Sequence, residues 1–340
     1  MSARTVVITV VLLAIFFRGA PIMAENDLHL FNLPGVPAAD GQQWQPRLSL
    51  MVQRADAAPN GRAVLYIHGG TFPSESSIFF RFGGRSWADA LNDAGFSVWG
   101  LDFAGYGRSE NYPLMAQDMP PEAEPLGRAP DAAQQIERAV HSIMTETGVS
   151  RVSVIAHSWG TMPAGLFAGA HPELVDRLIF FGPIVRRDVL PAVPSLGPWR
   201  LITVAEQKQR FTEDVPPGAA PVLLEADFPA WAELYLKADP TSFSRTPPSV
   251  KTPTGPIADV MNAWSGEMPY DPAKISTPIL IVRGEWDSLC QDTDADWLRQ
   301  ALRAAPEIRD IIIPKATHLM HLERGRHALY TASVEFLRAQ

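Results

Sequence analysis

One serine in the sequence stands where it could act as a nucleophile. Ser158 is the central residue of Ala-His-Ser-Trp-Gly at residues 156–160, directly after the apolar run Val152–Ile155 and before a helix-compatible segment. A serine on a sharp strand-to-helix turn needs small residues two positions before and after it, because the two elements cross closely there. Gly160 meets this need fully, and Ala156 adds one methyl group. The pattern predicts a nucleophile elbow.

A serine hydroxyl is a weak nucleophile until an imidazole removes its proton, and that imidazole needs an acid to hold its tautomer. Asp287 and His318 are the candidates, because each follows an apolar run, Ile279–Val282 and Ile311–Ile313. The carboxyl ends of parallel strands meet at one edge of a sheet, where such proteins bind ligands. We therefore expect the serine, the acid and the base to lie together.

Both assignments leave alternatives open. Glu285 is a rival acid, and Asp287 could instead cap a helix over Asp292–Leu302. His321 lies three residues beyond His318 and could replace it as the base or lie against it.

The oxyanion formed by serine attack needs backbone N–H donors placed in advance. The run Ala63–Ile67 ends in His-Gly-Gly-Thr at residues 68–71, a glycine-lined turn that can approach a substrate. We expect Gly70 to supply one donor, with Thr71 as its rival and a possible substrate contact. Trp159 should supply the second donor, because it follows the nucleophile. His68 and His157 are expected to be structural or to line the pocket.

The elements that must position these residues follow an alternating order. Further apolar runs cover Ser97–Asp102 and Leu178–Phe181, and helices are predicted over Trp87–Ala94 and Ala132–Thr147. The runs lack polar alternation, as expected of parallel strands covered on both faces. The sequence therefore predicts an α/β fold with a doubly wound, mostly parallel sheet. A loop-like stretch from Glu25 to about Gln45 and a half-exposed antiparallel edge strand, Leu48–Arg54, should precede it.

The alternation stops between about Val185 and Ala273, where prolines and aromatic residues are interleaved and no comparable strand is predicted. A disordered insert should be poor in aromatic residues, so this segment is predicted to be a mainly helical lid. It divides the core into residues 25–184 and 274–340. Trp231 and Tyr235 are our first choices for lid rings that face the substrate.

Residues 1–24 have the order of a secretory signal peptide. A cationic start at Arg4 precedes an apolar stretch from Val6 to Phe17, and Ala24 offers a small residue for cleavage. The stretch is too short to span a bilayer comfortably, although an uncleaved anchor is the alternative. Either interpretation predicts that the rest of the chain is exported.

Composition excludes several classes of function. The 340 residues carry 29 basic and 37 acidic side chains, a net charge of -8 that disfavours nucleic acid. The single cysteine, Cys290, excludes an intrachain disulfide and a thiolate-rich metal site, and it is expected to be a packed small side chain. No metal-binding histidine motif is present, and no cofactor is implied.

Taken together, these residues resemble the α/β-hydrolase family from about Arg47 to the carboxyl end. The His-Gly-Gly turn, the segment Asp-Phe-Ala-Gly-Tyr-Gly-Arg-Ser at residues 102–109, the serine elbow, Asp287, and His318 with Glu323 follow that family's order. The resemblance implies a structural role for Asp102. The departures are an alanine at position 156 and the absence of further glycines after the turn. The elbow and the His-Gly-Gly turn are also similar to proline iminopeptidases, a branch with a lid.

We therefore predict an exported serine hydrolase that acts on a small-molecule substrate and cleaves carboxylic esters through an acyl-enzyme on Ser158. A proline-iminopeptidase-like aminopeptidase is the alternative, and it would need acidic lid residues to hold a substrate ammonium group. The candidates for that role are Glu206, Glu213, Asp214, Glu225, Asp227 and Glu233. A catalytically silent binding protein is disfavoured, because every expected catalytic position is occupied.

Overall fold

The computed structural model describes residues 27–32, 36–37, 43–55, 59–189 and 195–339, so the predicted signal peptide lies outside the described residues. The strands are β1 Asp27–Asn32, β2 Val36–Pro37, β3 Gln43–Trp44, β4 Arg47–Gln53, β5 Ala63–Ile67, β6 Ser97–Asp102, β7 Val152–His157, β8 Val175–Phe181, β9 Trp199–Thr203, β10 Ser249–Pro253, β11 Ile279–Gly284 and β12 Ile308–Ile313. The helices are α1 Trp87–Asp93, α2 Ala129–Thr147, α3 Thr161–Ala170, α4 Val204–Arg210, α5 Phe228–Lys237, α6 Gly255–Trp264, α7 Asp292–Ala301 and α8 Arg326–Arg338.

An eight-stranded sheet forms the centre of the molecule, in the order β1-β4-β6-β5-β7-β8-β11-β12. Strands β6, β5, β7, β8, β11 and β12 are parallel, whereas β4 is antiparallel to β6 and β1 is antiparallel to β4. The predicted doubly wound, mostly parallel sheet is confirmed. Strands β5, β7, β8, β11 and β12 therefore bring their carboxyl ends to one edge.

Each face of the sheet has its own buried core. In β5, Leu65 and Ile67 join the cluster that contains α2 and α3, whereas Val64 and Tyr66 join the cluster that contains α1 and α8. Successive side chains of a strand point to opposite faces, so a strand covered on both faces must be apolar throughout. This is why the parallel strands appear in the sequence as uninterrupted apolar runs.

The amino-terminal edge of the sheet differs from the prediction. Strand β4 was expected over Leu48–Arg54 as a half-exposed edge, but its central residues are buried and β1 pairs along its outer side. The expected loop from Glu25 to Gln45 is wrong for the same reason, because it contains β1. Ser49 supplied the apparent polar alternation, yet it is fully buried, and its backbone N–H donates to Ser109 Oγ at 2.8 Å.

Residues 185–273, called the lid segment below, contain α4, α5 and α6 and a two-stranded antiparallel ribbon, β9 with β10. The expectation of no strand here is wrong. A search for apolar runs does not find these strands, because they carry polar residues such as Arg200 and Lys251. Each strand pairs only with the other, outside the central sheet. A third buried cluster joins α5 to the loops after β5 and β12. Within the described ranges, no helix combines the length and apolarity needed to cross a membrane.

Candidate active site

Ser158 occupies a strained turn at the end of β7. Its φ is +56°, in the left-handed region, and a short 3₁₀ turn over Ser158–Gly160 leads into α3. A non-glycine residue in this region costs about 1–3 kcal/mol, which the flanking strand and helix must offset. A Cβ atom on Gly160 would lie 2.4 Å from the His68 carbonyl oxygen, which explains why this position needs glycine.

Asp287 and His318 form the hydrogen-bonded pair that the chemistry requires. His318 Nδ1 lies 3.0 Å from each Asp287 carboxylate oxygen, and both side chains are buried. Asp287 Oδ1 also accepts the backbone N–H groups of Leu289 and Cys290. A carboxylate that accepts these bonds holds the imidazole proton on Nδ1 and leaves Nε2 with its lone pair. Among the described residues, His318 Nε2 has no hydrogen-bond partner.

The rivals of this pair have other contacts. Glu285 is exposed and accepts the backbone N–H of Lys315 at 2.8 Å. His321 Nε2 lies 2.9 Å from Ser77 Oγ, and burial, then the charge of His318, lowers the pKa of His321 to about 3. The cap of α7 is Gln291 rather than Asp287. The structure thus brings together the preferred acid and base.

His157 connects the serine turn to the histidine loop. Its Nε2 lies 3.1 Å from the His318 carbonyl oxygen, and the two ring centres are 5.0 Å apart. Burial, then the charges of His321 and His318, lowers the pKa of His157 well below its usual range. The neutral His157 ring donates its Nε2–H to that carbonyl. This bond holds the serine turn against the loop of His318.

Gly182, directly after β8, is a site residue that the sequence analysis missed. Its φ is +52°, and a Cβ atom there would lie 2.9 Å from His318 Nδ1 and 3.0 Å from Asp287 Oδ2. Its N–H donates to the Val282 carbonyl at 2.9 Å. A glycine following an apolar run was the available signal, since such a position often marks a close backbone approach.

The turn after β5 places the predicted oxyanion donor Gly70 next to the elbow. His68 Nδ1 lies 2.6 Å from the Gly69 carbonyl oxygen, and His68 Nε2 accepts the Phe103 N–H. Because a trans peptide points its C=O and N–H in opposite directions, this bond turns the Gly70 N–H away from His68. A Cβ atom on Gly70 would lie 3.9 Å from the Trp159 Cβ, so the two proposed donors are neighbours.

Asp102 and Trp159 hold this region by hydrogen bonds to neighbouring elements. Asp102 is fully buried, and its carboxylate accepts the N–H groups of Ser74 and Arg108. Burial raises the pKa of Asp102 to about 7. The Trp159 indole N–H donates to Asp259 Oδ2 at 2.9 Å, which ties the elbow to α6 of the lid segment.

Trp231 and Tyr235 lie elsewhere than expected. Both rings are fully buried, stacked on each other with centres 5.3 Å apart. The Trp231 indole N–H donates to the Ser76 carbonyl, and the Tyr235 hydroxyl donates to the Ile202 carbonyl. They form the inner core of the lid segment rather than a substrate-facing surface, because α5 turns its apolar face towards the loops of the sheet.

The acidic residues of the lid segment also have other roles. Glu206 caps α4, and Glu225 and Glu233 form surface ion pairs with lysines. Asp227 accepts a backbone N–H from the core, and Asp214 lies 3.5 Å from the N of Ser288. In the described residues, none of the six acids forms a hydrogen bond or an ion pair with the triad candidates.

A family model for the alpha/beta hydrolase fold matches residues 62–325, more than half of the chain. The chain belongs to the α/β-hydrolase family. Solved structures agree on the α/β-hydrolase fold. A probable hydrolytic enzyme from Pseudomonas aeruginosa PAO1 is 20% identical, with a TM-score of 0.57 over 93% of this chain and 95% of that one.

Two esterases of the α/β-hydrolase fold are similar to the same extent. One from Thermogutta terrifontis is 18% identical, with a TM-score of 0.56 over 91% of this chain and 98% of that one. One from Exiguobacterium antarcticum is 17% identical, with a TM-score of 0.57 over 90% of this chain and 99% of that one. None of the curated proteins compared with the chain matches it. At these identities the neighbours establish the fold, so the chemistry of this α/β-hydrolase must be argued from its own residues.

Proposed function

We propose that the protein is a serine hydrolase that cleaves carboxylic esters. The observation that carries the proposal is the buried His318 imidazole. Its Nδ1 is bonded to Asp287, its Nε2 has no partner among the described residues, and its loop is bonded to the residue before Ser158. The turn of a strained serine is thus tied to the loop of an oriented imidazole whose second nitrogen is free, and these are the groups that activate a hydroxyl for attack on a carbonyl.

In the first half-reaction, Ser158 Oγ attacks the ester carbonyl carbon while His318 Nε2 takes the hydroxyl proton. The backbone N–H groups of Gly70 and Trp159 stabilise the negative oxygen of the tetrahedral intermediate. That intermediate collapses to an acyl-enzyme, and the imidazolium returns its proton to the departing alcohol. Water then attacks the acyl carbonyl with the same base, which releases the acid and restores the serine.

Two observations support esters over the peptide substrates of an aminopeptidase, which carry an ammonium group. An aminopeptidase needs a negative group to hold the substrate ammonium, and among the described residues the six candidate acids form no hydrogen bond or ion pair with the triad candidates. The buried acid of α6, Asp259, accepts the Trp159 indole N–H but is already paired with Arg128. Beside Thr71 of the oxyanion turn, the lid segment places a cation, because Arg210 Nη1 donates to Thr71 Oγ1 at 2.6 Å. A cation there repels an ammonium group.

The proposal includes export, which rests on the sequence of residues 1–24 alone. Fractionation of cells expressing the full chain, with detection of the mature amino terminus by mass spectrometry, tests this part separately from the chemistry. An intact amino terminus in the cytoplasm would contradict it.

The chemistry is tested with Ser158→Ala. We expect the wild type to hydrolyse p-nitrophenyl acetate, to leave a proline arylamide nearly untouched and to be labelled by a fluorophosphonate. The variant should lose the label and, as for other serine hydrolases, about 10⁶-fold in kcat, because the nucleophile is removed. Peptide mapping should place the label on Ser158. Faster cleavage of the arylamide would favour the aminopeptidase, and a label on another serine would contradict the proposal.

A further inference from the structure

Helix α4 of the lid segment sits directly on the proposed oxyanion turn. Arg210 Nη1 donates to Thr71 Oγ1 at 2.6 Å, and Gln207, one turn earlier, donates to the Thr71 carbonyl at 3.3 Å. Thr71 follows Gly70, so the guanidinium lies one residue away from the donor that would face the scissile carbonyl. Its positive charge also acts on His157. Burial, His321 and His318 lower the pKa of that ring most, and Arg210 lowers it further.

This guanidinium differs from several inward-facing arginines of the protein. Several of them bond a carboxylate directly: Arg128 with Asp259, Arg187 with Asp294, Arg245 with Asp239 and Arg283 with Asp292. Arg210 forms no ion pair with any carboxylate of the described residues. Glu213 and Asp214 act on it only over a longer range, and Arg200 opposes them.

The missing partner has an energetic consequence. Arg210 is half-buried, and burial lowers its pKa. An arginine stays charged in proteins, so an incompletely paired guanidinium keeps this desolvation cost until an anion binds. Its planar donors suit the two oxygens of a carboxylate, and such charge-assisted pairs are among the strongest hydrogen bonds. The Thr71 hydroxyl, which accepts from Arg210, keeps its own proton to donate.

We propose that Arg210 and Thr71 form an anion subsite, and that the preferred substrates are esters carrying a carboxylate a few bonds from the scissile carbonyl. This inference rests on the proposed ester hydrolase function. The reaction itself is unchanged: one ester bond is hydrolysed, and the carboxylate is held but not altered. The subsite would place the scissile carbonyl under the neighbouring Gly70 amide, so it contributes orientation as well as affinity.

The kinetic test compares substrates within each variant. We would measure kcat/KM for p-nitrophenyl acetate and mono-p-nitrophenyl glutarate, which carries the anion on the acyl side. The pair 4-acetoxybenzoate and its methyl ester places the anion on the alcohol side. The readout is kcat/KM for the anionic substrate divided by kcat/KM for the neutral one. A general disturbance of the oxyanion turn lowers both values and leaves this ratio unchanged. Losing one charge-assisted contact should lower this ratio about 10- to 100-fold in Arg210→Met for at least one pair.

Two further variants sharpen the comparison. Arg210→Lys keeps the charge but loses the fork of donors, so its ratio should fall between the wild type and Arg210→Met. Arg200→Gln removes an exposed cation of β9 in the same region, and both rates should stay near those of the wild type. An unchanged ratio in Arg210→Met for both pairs would overturn the anion subsite, as would an equal fall of the ratio in Arg200→Gln.

A binding measurement separates this inference from the proposed function. In the Ser158→Ala background, calorimetry should show that monomethyl glutarate binds and that added Arg210→Met weakens its binding about 10-fold or more. Equal binding to both proteins would overturn the subsite. If the wild type cleaved no ester yet bound the half-ester through Arg210, the hydrolase proposal would fail while the anion site would stand.

Discussion

Gly182 controls how closely the end of β8 can approach the acid–base pair. The position combines a left-handed φ of +52° with Asp287 and His318 packed against its Cα. Any side chain there would press on the imidazole at Nδ1, the atom that donates to Asp287. Small displacements of a catalytic group are costly, because proton transfer depends on a narrow range of distances and angles.

We predict that Gly182→Ala lowers kcat for p-nitrophenyl acetate about 10- to 100-fold, because the new methyl group displaces the imidazole. The matched control is Gly218→Ala, which has a similar left-handed φ of +82°, but among the described residues no atom beyond its chain neighbours lies within 4 Å of the new methyl group. Both variants bear the backbone strain, whereas only the first contacts the pair. Steady-state kinetics and urea unfolding of both variants check this. Equal kcat in the two variants would show that the contact is harmless.

The sequence could name the acid, the base and the serine because each is a reactive side chain that follows an apolar run. Their roles remain predictions, but their placement at one sheet edge follows from topology alone. Gly182 and Arg210 could not be found this way. A glycine has no reactive group to attract notice, and Arg210 reaches the site only through the packing of α4 on Thr71.

At the scale of elements, the turn between β12 and His318 is held by two carboxylates of different character. Exposed Glu285 accepts the N–H of Lys315, whose φ is +54°. Fully buried Glu323 bonds both the N–H and the hydroxyl of Thr317. Burial, which outweighs these bonds, raises the pKa of Glu323 to about 7. The residue just before the base is therefore held by an acid that is protonated below neutral pH.

We predict that Glu323→Gln removes part of the pH dependence of stability. Because the folded protein binds this proton more tightly than the unfolded chain does, the contribution of Glu323 is fully present below about 4.5 and is lost as the pH rises through about 7. Between pH 5 and pH 8, the wild type should lose about 2 kcal/mol of unfolding free energy relative to the variant.

Urea unfolding of both proteins at several pH values measures this shift. Asp102 also has its pKa raised to about 7 by burial, but it is present in both proteins and cancels in the difference. Identical pH slopes in the two proteins would mean that the Glu323 carboxyl ionises in the native turn as readily as in the unfolded chain.

The sheet elements were predictable where both faces are covered, since β5, β7, β8 and β11 then appear as apolar runs. Prediction failed where pairing rather than composition defines the strand. Strand β1 gives β4 an outer partner that the sequence pattern did not reveal, and the ribbon of β9 and β10 exists because each strand completes the other's hydrogen bonds. Such pairing joins residues that are distant in the sequence, so local periodicity does not reveal it.

At the scale of the whole molecule, the lid segment packs in two places, because Trp199 and Ala263 join a core of the sheet whereas α5 has a separate buried cluster, called the lid core. Its buried cluster centres on Trp231 and Tyr235 and includes Phe72 and Leu319, which come from the loops after β5 and β12. The clusters on the two sheet faces are separate. The two loops that carry the predicted oxyanion turn and His318 thus complete the lid core, and we expect local opening of this core to disturb the candidate site without unfolding the sheet.

The bond from the Trp231 indole N–H to the Ser76 carbonyl, at 2.7 Å, is one buried polar link across this boundary. We predict that Trp231→Phe keeps a ring in the cluster but leaves that carbonyl unpaired, which costs about 1–3 kcal/mol. Amide exchange in α4 and α5 should accelerate about 5- to 150-fold, while exchange in β5, β7 and β8 should be unchanged.

The control is Trp264→Phe at the end of α6. Its indole N–H has no hydrogen-bond partner among the described residues, so the same substitution there removes ring area without breaking a bond. Hydrogen exchange followed by mass spectrometry on the three proteins distinguishes the cases. If Trp264→Phe accelerates α4 and α5 as much as Trp231→Phe does, lost packing and not the hydrogen bond sets the opening. If the strands accelerate together with the helices, the lid segment and the sheet open as one cooperative unit, and the separate lid core carries no independent motion.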